Sequence, residues 1–263
     1  MRKLLRGFLI NLQFFTAIPV HLELPMDKPH LKSAVQAFPL LGLLQGGIYS
    51  GIFYLLLEYT PFSNLAAAFL LWLMSILLTG GIHLDGWMDA SDGYFSYKDQ
   101  QKRLQVMNDP RTGAFGVISV IVLLSNRFLF IYEITVNVQV ETYLMIAAIP
   151  LLSKSVMGLL LLTVRSAKKE GLGTLFQSAA TLKDLWTYIV YIIGFLALML
   201  FFGSAFNYIS ILLVATFVIL LIFRRKAIKW FGGITGDILG AAVEGTELFL
   251  WMTLWLLHYF VMV

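Results

Sequence analysis

Thr142-Tyr143-Leu144-Met145-Ile146-Ala147-Ala148-Ile149-Pro150-Leu151-Leu152-Ser153-Lys154-Ser155-Val156-Met157-Gly158-Leu159-Leu160-Leu161-Leu162-Thr163-Val164 carries one charge, Lys154, and is long enough to cross the hydrocarbon layer of a bilayer. Only a helix satisfies its own backbone polar groups there. Six further stretches read the same way: residues 38–57, 65–81, 114–134, 185–203, 208–223 and 238–263. Composition agrees. The 263 residues are 59% hydrophobic and 13% charged, with a mean hydropathy of +0.82, too little charge to coat a soluble globule of this size. The expectation is an all-α polytopic membrane bundle, a single integral membrane domain over residues 1–263 with about seven transmembrane helices. Residues 1–20 carry Arg2, Lys3 and Arg6 before a short apolar run broken by Asn11, Gln13 and Thr16. No small-residue cleavage site precedes Pro19, so the segment reads as a retained amphipathic helix and not as a cleaved signal.

The cations test this count. Residues 1–37 hold Arg2, Lys3, Arg6, Lys28 and Lys32; 82–113 hold Lys98, Lys102, Arg103 and Arg111. Residues 165–184 hold Arg165, Lys168, Lys169 and Lys183, and 224–237 hold Arg224, Arg225, Lys226 and Lys229. The intervening turns hold none, so every loop cation falls on alternate loops. By the positive-inside rule the N-terminus and loops 82–113, 165–184 and 224–237 are cytoplasmic, in a multi-pass protein of the cell (inner/plasma) membrane. The net charge of +4 is mild and gives no nucleic-acid surface. With no cysteine, any metal must be held by oxygen or imidazole.

The acids concentrate in one of these loops. In Gly81-Ile82-His83-Leu84-Asp85-Gly86-Trp87-Met88-Asp89-Ala90-Ser91-Asp92-Gly93, three aspartates are spaced i, i+4, i+7. If the second span continues as a helix past the membrane face, Asp85, Asp89 and Asp92 share one side of it. Three carboxylates in one stripe repel unless a cation sits among them, and Mg²⁺ takes oxygen ligands while keeping waters and substrate phosphates. Gly86 and Gly93 leave room for a bulky group to approach the backbone. His83 reads as a hydrogen-bonded structural residue. Downstream, Arg111 in Met107-Asn108-Asp109-Pro110-Arg111-Thr112-Gly113-Ala114-Phe115-Gly116 offers a guanidinium fork for phosphate. Gly232-Gly233-Ile234-Thr235-Gly236-Asp237-Ile238-Leu239-Gly240-Ala241 opens the last span and can present backbone N–H groups to an anion or a ribose. Lys168 and Lys169 read as solvated orientation signals.

Ionisable residues at depth default to a paired or functional role. Lys154 lies about 15 Å from the inner end of its span, and Glu244 and Glu247 roughly 9 and 13 Å into the last, depths that permit a Lys154–Glu pair. Arg127, near the outer end of its span, is expected to snorkel beside Glu133.

Taken in order, the three motifs resemble those of the cobalamin synthase family, the adenosylcobinamide-GDP ribazoletransferases, and Gln13-Phe14-Phe15-Thr16-Ala17-Ile18-Pro19 and Phe38-Pro39-Leu40-Leu41-Gly42 extend the likeness over almost the whole chain. The chain departs from the usual family pattern at Pro110, where Ser is common, and at Lys154, where Arg is common. The resemblance implies a Mg²⁺-dependent phosphotransferase in the bilayer, acting on small-molecule substrates. The 5′-hydroxyl of α-ribazole, or of its 5′-phosphate, would attack the cobinamide-side phosphorus of adenosylcobinamide-GDP, releasing GMP. Asp85, Asp89 and Asp92 are then the catalytic and metal-holding residues, with Arg111, Gly113, Lys154, Thr235 and Asp237 on the substrate. Homo-oligomerisation is left open. Two rivals use similar features. A CDP-alcohol phosphotransferase also spaces aspartates at a membrane helix end, but with an Ala-Arg pair where this chain has Ala90-Ser91; a cation transporter would place its acids near the midplane.

Overall fold

The computed structural model describes residues 2–202 and 205–262; Met1 and the expected span ends Gly203 and Val263 lie outside them. Twelve α-helices follow one another among the described residues: α1 (Arg2–Phe15), α2 (Lys28–Gln36), α3 (Phe38–Tyr59), α4 (Asn64–Thr79), α5 (Ile82–Ser96), α6 (Gln100–Val106), α7 (Ala114–Ile134), α8 (Val140–Thr163), α9 (Leu172–Ala179), α10 (Leu185–Met199), α11 (Ala205–Phe231) and α12 (Gly236–Phe260). Short 3₁₀ turns flank α10 at Leu182–Asp184 and Leu200–Phe202. The fold is an all-α multi-pass membrane bundle.

Among the described residues five helices are long and apolar enough to span by themselves: α3, α7, α8, α10 with its flanking turns, and α11. The other two expected spans differ for definite reasons. The second is interrupted: Gly80 and Gly81 both adopt left-handed backbone, φ 62° and 75°, and α5 leaves α4 at 86°. Only glycine takes up two such conformations in a row without a Cβ penalty. The acidic segment is therefore a separate helix turned off the direction of α4, not a straight continuation of it. The last, α12, is long enough but carries Asp237, Glu244 and Glu247, and it is buried along most of its length by its neighbours. The cationic loops are also more ordered than their charge implies. Residues 82–113 contain α5 and α6, 165–184 contain α9, and α11 continues through Arg224, Arg225, Lys226 and Lys229 to Phe231.

Helix α8 is the central post. Its antiparallel neighbour α3 presents Gly42 and Gly46, where any side chain would collide with the backbone of Pro150 and Ala147. Small residues four apart let two membrane helices approach until dispersion contacts and backbone polarity hold them, which lipid cannot replace. At the end of the bundle that bears the long connections, α1 lies on α2 with Ile10 and Asn11 buried, and the Asn11 amide donates to the Ala34 carbonyl at 2.8 Å. That placement fits the expected amphipathic helix. Asp27 caps α2 by accepting from the His30 N–H at 3.0 Å.

Between α7, α8 and α12 the bundle encloses its intramembrane charges. Arg127 is buried, bonded to the Glu244 carboxylate at 2.5 Å and 3.9 Å from Glu247. Lys154 Nζ lies 3.7 Å from Glu247, whose carboxylate also accepts from the Ser153 hydroxyl at 2.9 Å. Two cations and two carboxylates thus balance in a place where each alone would be expensive. The Lys154–Glu pairing is present, but Arg127 does not snorkel beside Glu133. It turns inward because α12 offers two carboxylates one turn apart.

Candidate active site

Helix α5 places Asp85, Asp89 and Asp92 on one face, the first exposed, the second half-buried and the third buried. The first turn of α12 crosses this helix closely. A Cβ at Gly86 would lie 2.6 Å from the Asp237 carbonyl oxygen, and one at Gly240 would lie 3.2 Å from the His83 backbone. Gly93 makes the matching room for α6, where the Arg103 carbonyl would be 2.9 Å away. The bulky groups that approach Gly86 and Gly93 are thus the protein's own helices, a correction to the expectation of a ligand. The close crossing brings Asp237 to the aspartates of α5.

Around Asp237 the second and third motifs are tied together by Lys168. Lys168 Nζ donates to Asn108 Oδ1 at 2.6 Å and to Asp237 Oδ2 at 3.3 Å. Its side chain is a quarter exposed, so it is not the solvated signal that its position in a basic loop implies. The loop is held by a parallel bridge between Ser166 and Ile234: the Ala167 N–H donates to the Ile234 carbonyl at 2.8 Å, and the Ile234 N–H to that of Arg165 at 2.9 Å. Gly233, at φ 157°, admits the Arg165 carbonyl where a side chain would collide. Thr235 caps α12, accepting from the Ile238 N–H at 3.2 Å and donating to Asp237 Oδ2 at 3.2 Å.

Asp92 points the other way along α5, into the start of α7. Its Oδ1 accepts from the Gly116 N–H at 3.3 Å, and its carboxylate fills the space that a Gly113 side chain would need. The N-cap of α7 is Gly113, which has no side chain to cap with, so an orphan N–H of that helix is satisfied from a neighbouring helix. Arg111 rests on Asp109, with Nε–Oδ1 at 3.0 Å and Nη2–Oδ2 at 2.7 Å, and its side chain is 87% exposed. These bonds hold the Asp109 carboxyl down at about 2. Lys154 is fully buried in the ion cluster described above, where it meets Glu247.

Electrostatics single out Asp89. Burial, then the neighbouring charges of Asp85 and Asp237, push its carboxyl up to about 6, against the pull of Lys168. Among the described residues, however, no three acidic or imidazole side chains stand close enough together to hold a metal between them. The stripe is therefore a shared face and not a three-carboxylate cage, since Cβ atoms one helical turn apart are about 5–6 Å from each other and Asp92 is turned to α7. An all-oxygen donor set of this kind fits a hard ion that takes one or two carboxylates and fills its other positions with water and phosphate oxygens, as Mg²⁺ does.

The family model described as cobalamin-5-phosphate synthase matches residues 7–255. The chain belongs to the cobalamin-5-phosphate synthase family. Proteins named adenosylcobinamide-GDP ribazoletransferase from Geobacillus sp. (strain WCH70) and Geobacillus thermodenitrificans (strain NG80-2) are each 39% identical to it, over 98% of both chains in each case. One so named from Clostridium tetani (strain Massachusetts / E88) is 34% identical over 94% of this chain and 95% of its own. No solved structure matches significantly.

In this cobalamin-5-phosphate synthase family member the sequence reading missed three groups at the site. Nothing in the sequence separates Lys168 from the exposed Lys169 beside it; the Ser166–Ile234 bridge does. Asn108 lies inside a recognised motif, and its amide was legible there as a polar group with no assigned partner. Arg103, one of the loop cations, is buried and stitches α6 to its neighbours through the Tyr97 and Trp230 carbonyls at 2.7 and 3.2 Å. His83 is buried with its ring stacked on Phe15 at 5.9 Å, and its Nε2 has no hydrogen-bond partner among the described residues, unlike the bonded structural histidine expected.

Proposed function

We propose that this protein joins adenosylcobinamide-GDP to α-ribazole, or to α-ribazole 5′-phosphate, giving adenosylcobalamin or its 5′-phosphate and GMP, the last step of nucleotide-loop assembly in cobalamin biosynthesis. What supports this reading is full-length similarity to relatives of that name, together with the Asn108–Lys168–Asp237 chain, which joins the second and third polar motifs, and the crossing at Gly86 that sets Asp237 against α5. The latter observation carries it, because phosphoryl-type transfer is largely positioning and charge compensation.

In the reaction the 5′-hydroxyl oxygen bonds to the cobinamide-side phosphorus, the phosphoanhydride bond to GMP breaks, and the hydroxyl proton passes to a carboxylate. Asp89 is the fitting acceptor: a group that titrates near 6 is ionised at neutral pH yet basic enough to take a proton. Mg²⁺, taken up through one or two carboxylates of the Asp85 and Asp237 side of this face and otherwise by water and phosphate oxygens, would supply positive charge at the transferring phosphoryl group. Lys168 keeps the wall between Asn108 and Asp237 closed and cationic. Arg111 exchanges Asp109 for a phosphate of the incoming nucleotide. Thr235 and the Gly113 backbone hold their helix ends in place against the substrate. Lys154 acts at one remove, by fixing α12 through Glu247. The protein sits in the cell membrane with its N-terminus and motif-bearing connections in the cytoplasm, where the alternation of cations puts them.

The test is GMP release by the purified protein. Turnover should require adenosylcobinamide-GDP, α-ribazole and Mg²⁺ together, and should stop in chelator. GMP release at the same rate without α-ribazole would refute the transfer.

A further inference from the structure

A groove runs along the flank of α5 opposite its aspartates. Its upper part, about 410 Å³, lies among Trp87, Ser91 and Tyr94 of α5 and Lys226 and Trp230 of α11. The lower part, about 400 Å³, continues between α11 and α12 as far as Met252, and Trp87, Phe223 and Lys226 line both. From Ile238 to Met252 the groove follows α12 for about 21 Å at 1.5 Å per residue, roughly the depth of one leaflet with its headgroup region. Apart from Asn126 and Lys226, which both line it, the lower part is bounded by apolar residues. The upper part is lined by Lys226, whose ammonium lies 4.9 Å over the Trp230 ring, and by Ser91. Arg224, Arg225 and Lys229 are exposed on the turns beside Lys226, and no carboxylate lines either part.

We propose that this groove binds an anionic phospholipid, one acyl chain lying between α11 and α12 and the phosphate meeting Lys226 and the Ser91 hydroxyl. Charge and depth choose this occupant. The slot is mostly apolar along α12 and cationic at its Lys226 end, beside Arg224, Arg225 and Lys229. An aromatic substrate is disfavoured because the aspartates face away across the body of α5, and a helix with its side chains is about 10 Å thick. A bound lipid supports α5 from behind, on the face that carries Trp87, Ser91 and Tyr94, and so holds the aspartate face against α12.

With Trp72, Trp186, Trp251 and Trp255 replaced by phenylalanine, the remaining Trp87 and Trp230 report on the groove. The full-length protein in phosphatidylcholine vesicles would be titrated with dibrominated phosphatidylglycerol, and, in parallel, with dibrominated phosphatidylcholine, reading tryptophan quenching. The expected result is a preference for the anionic lipid of about fivefold, the worth of one lysine at an anionic surface, reduced to near unity in Lys226→Gln and kept in Lys226→Arg. Ile222→Phe, which fills the lower slot without adding a reporter and leaves Lys226 in place, should also abolish the preference, with circular dichroism confirming the fold of each variant. Equal quenching by the two lipids, or an undiminished preference in Lys226→Gln, would overturn the proposal. Displacement of the brominated lipid by α-ribazole would overturn it too, by assigning the groove to substrate.

Discussion

Replacing Asp89 with asparagine should abolish turnover with Mg²⁺ present and, in the metal-free protein, raise stability. The Asp89 carboxyl moves from 3.8 to about 6 on folding, pushed first by burial and then by Asp85 and Asp237. A raised carboxyl pKa means that the folded state holds its proton more tightly than the unfolded chain. Between about pH 4 and pH 6 the folded protein therefore binds more protons, and stability falls as pH rises through that window. Two pH units at about 1.4 kcal/mol each give nearly 3 kcal/mol at full weight. Asp89 is only half-buried, so solvent screening cuts this to about 1.5 kcal/mol. Asparagine is nearly isosteric and cannot ionise, so Asp89→Asn should recover about 1.5 kcal/mol at pH 8 and nothing below pH 4. The assay is unfolding in mixed detergent micelles with chelator present, at both pH values, for the wild type and the variant. Added Mg²⁺ should stabilise the wild type and leave the variant unmoved, because the ion relieves the same repulsion. Equal stability of the two proteins at pH 8, or a variant less stable there, would refute the view that Asp89 sits in an uncompensated field of carboxylates.

Other expectations follow from the contacts. Lys168→Met should lower kcat/KM by about tenfold, the loss of a partly buried charge-assisted bond to Asp237, whereas Lys169→Met, at an exposed position, should stay within a factor of two or so in the same GMP-release assay. Gly113→Ala should displace the Asp92 carboxylate and cut turnover sharply while membrane insertion, followed by fractionation, is unchanged. Arg127→Met leaves two carboxylates facing Lys154 alone and should cost about 3–5 kcal/mol in micelle unfolding; adding Glu244→Gln to it should restore part of the loss, and a purely additive pair would count against the network.

The membrane class and the amphipathic entry helix were legible because apolar length and period are local properties. So was the aspartate face, since i, i+4, i+7 positions share a side of any helix. What α5 is part of was not. Gly80-Gly81 reads as a weak spot in a continuous helix until both residues are seen at positive φ, and the 86° turn there decides that the aspartates meet Asp237 and do not line up along a span. Lys168 and Arg127 show the same division. Their charges and approximate depths are in the sequence, but a lysine four atoms long reaches whichever acceptor the fold brings within a few ångströms, and Arg127 bends toward Glu244 only because α12 packs beside α7. The sequence by itself determined an all-helical membrane protein, its polar motifs and the chemistry open to them. Only the tertiary structure decided which motif touches which, because that depends on crossings between helices far apart in the chain, made possible by glycines such as Gly86, Gly42 and Gly46, whose missing side chains carry no sign of the partner they admit.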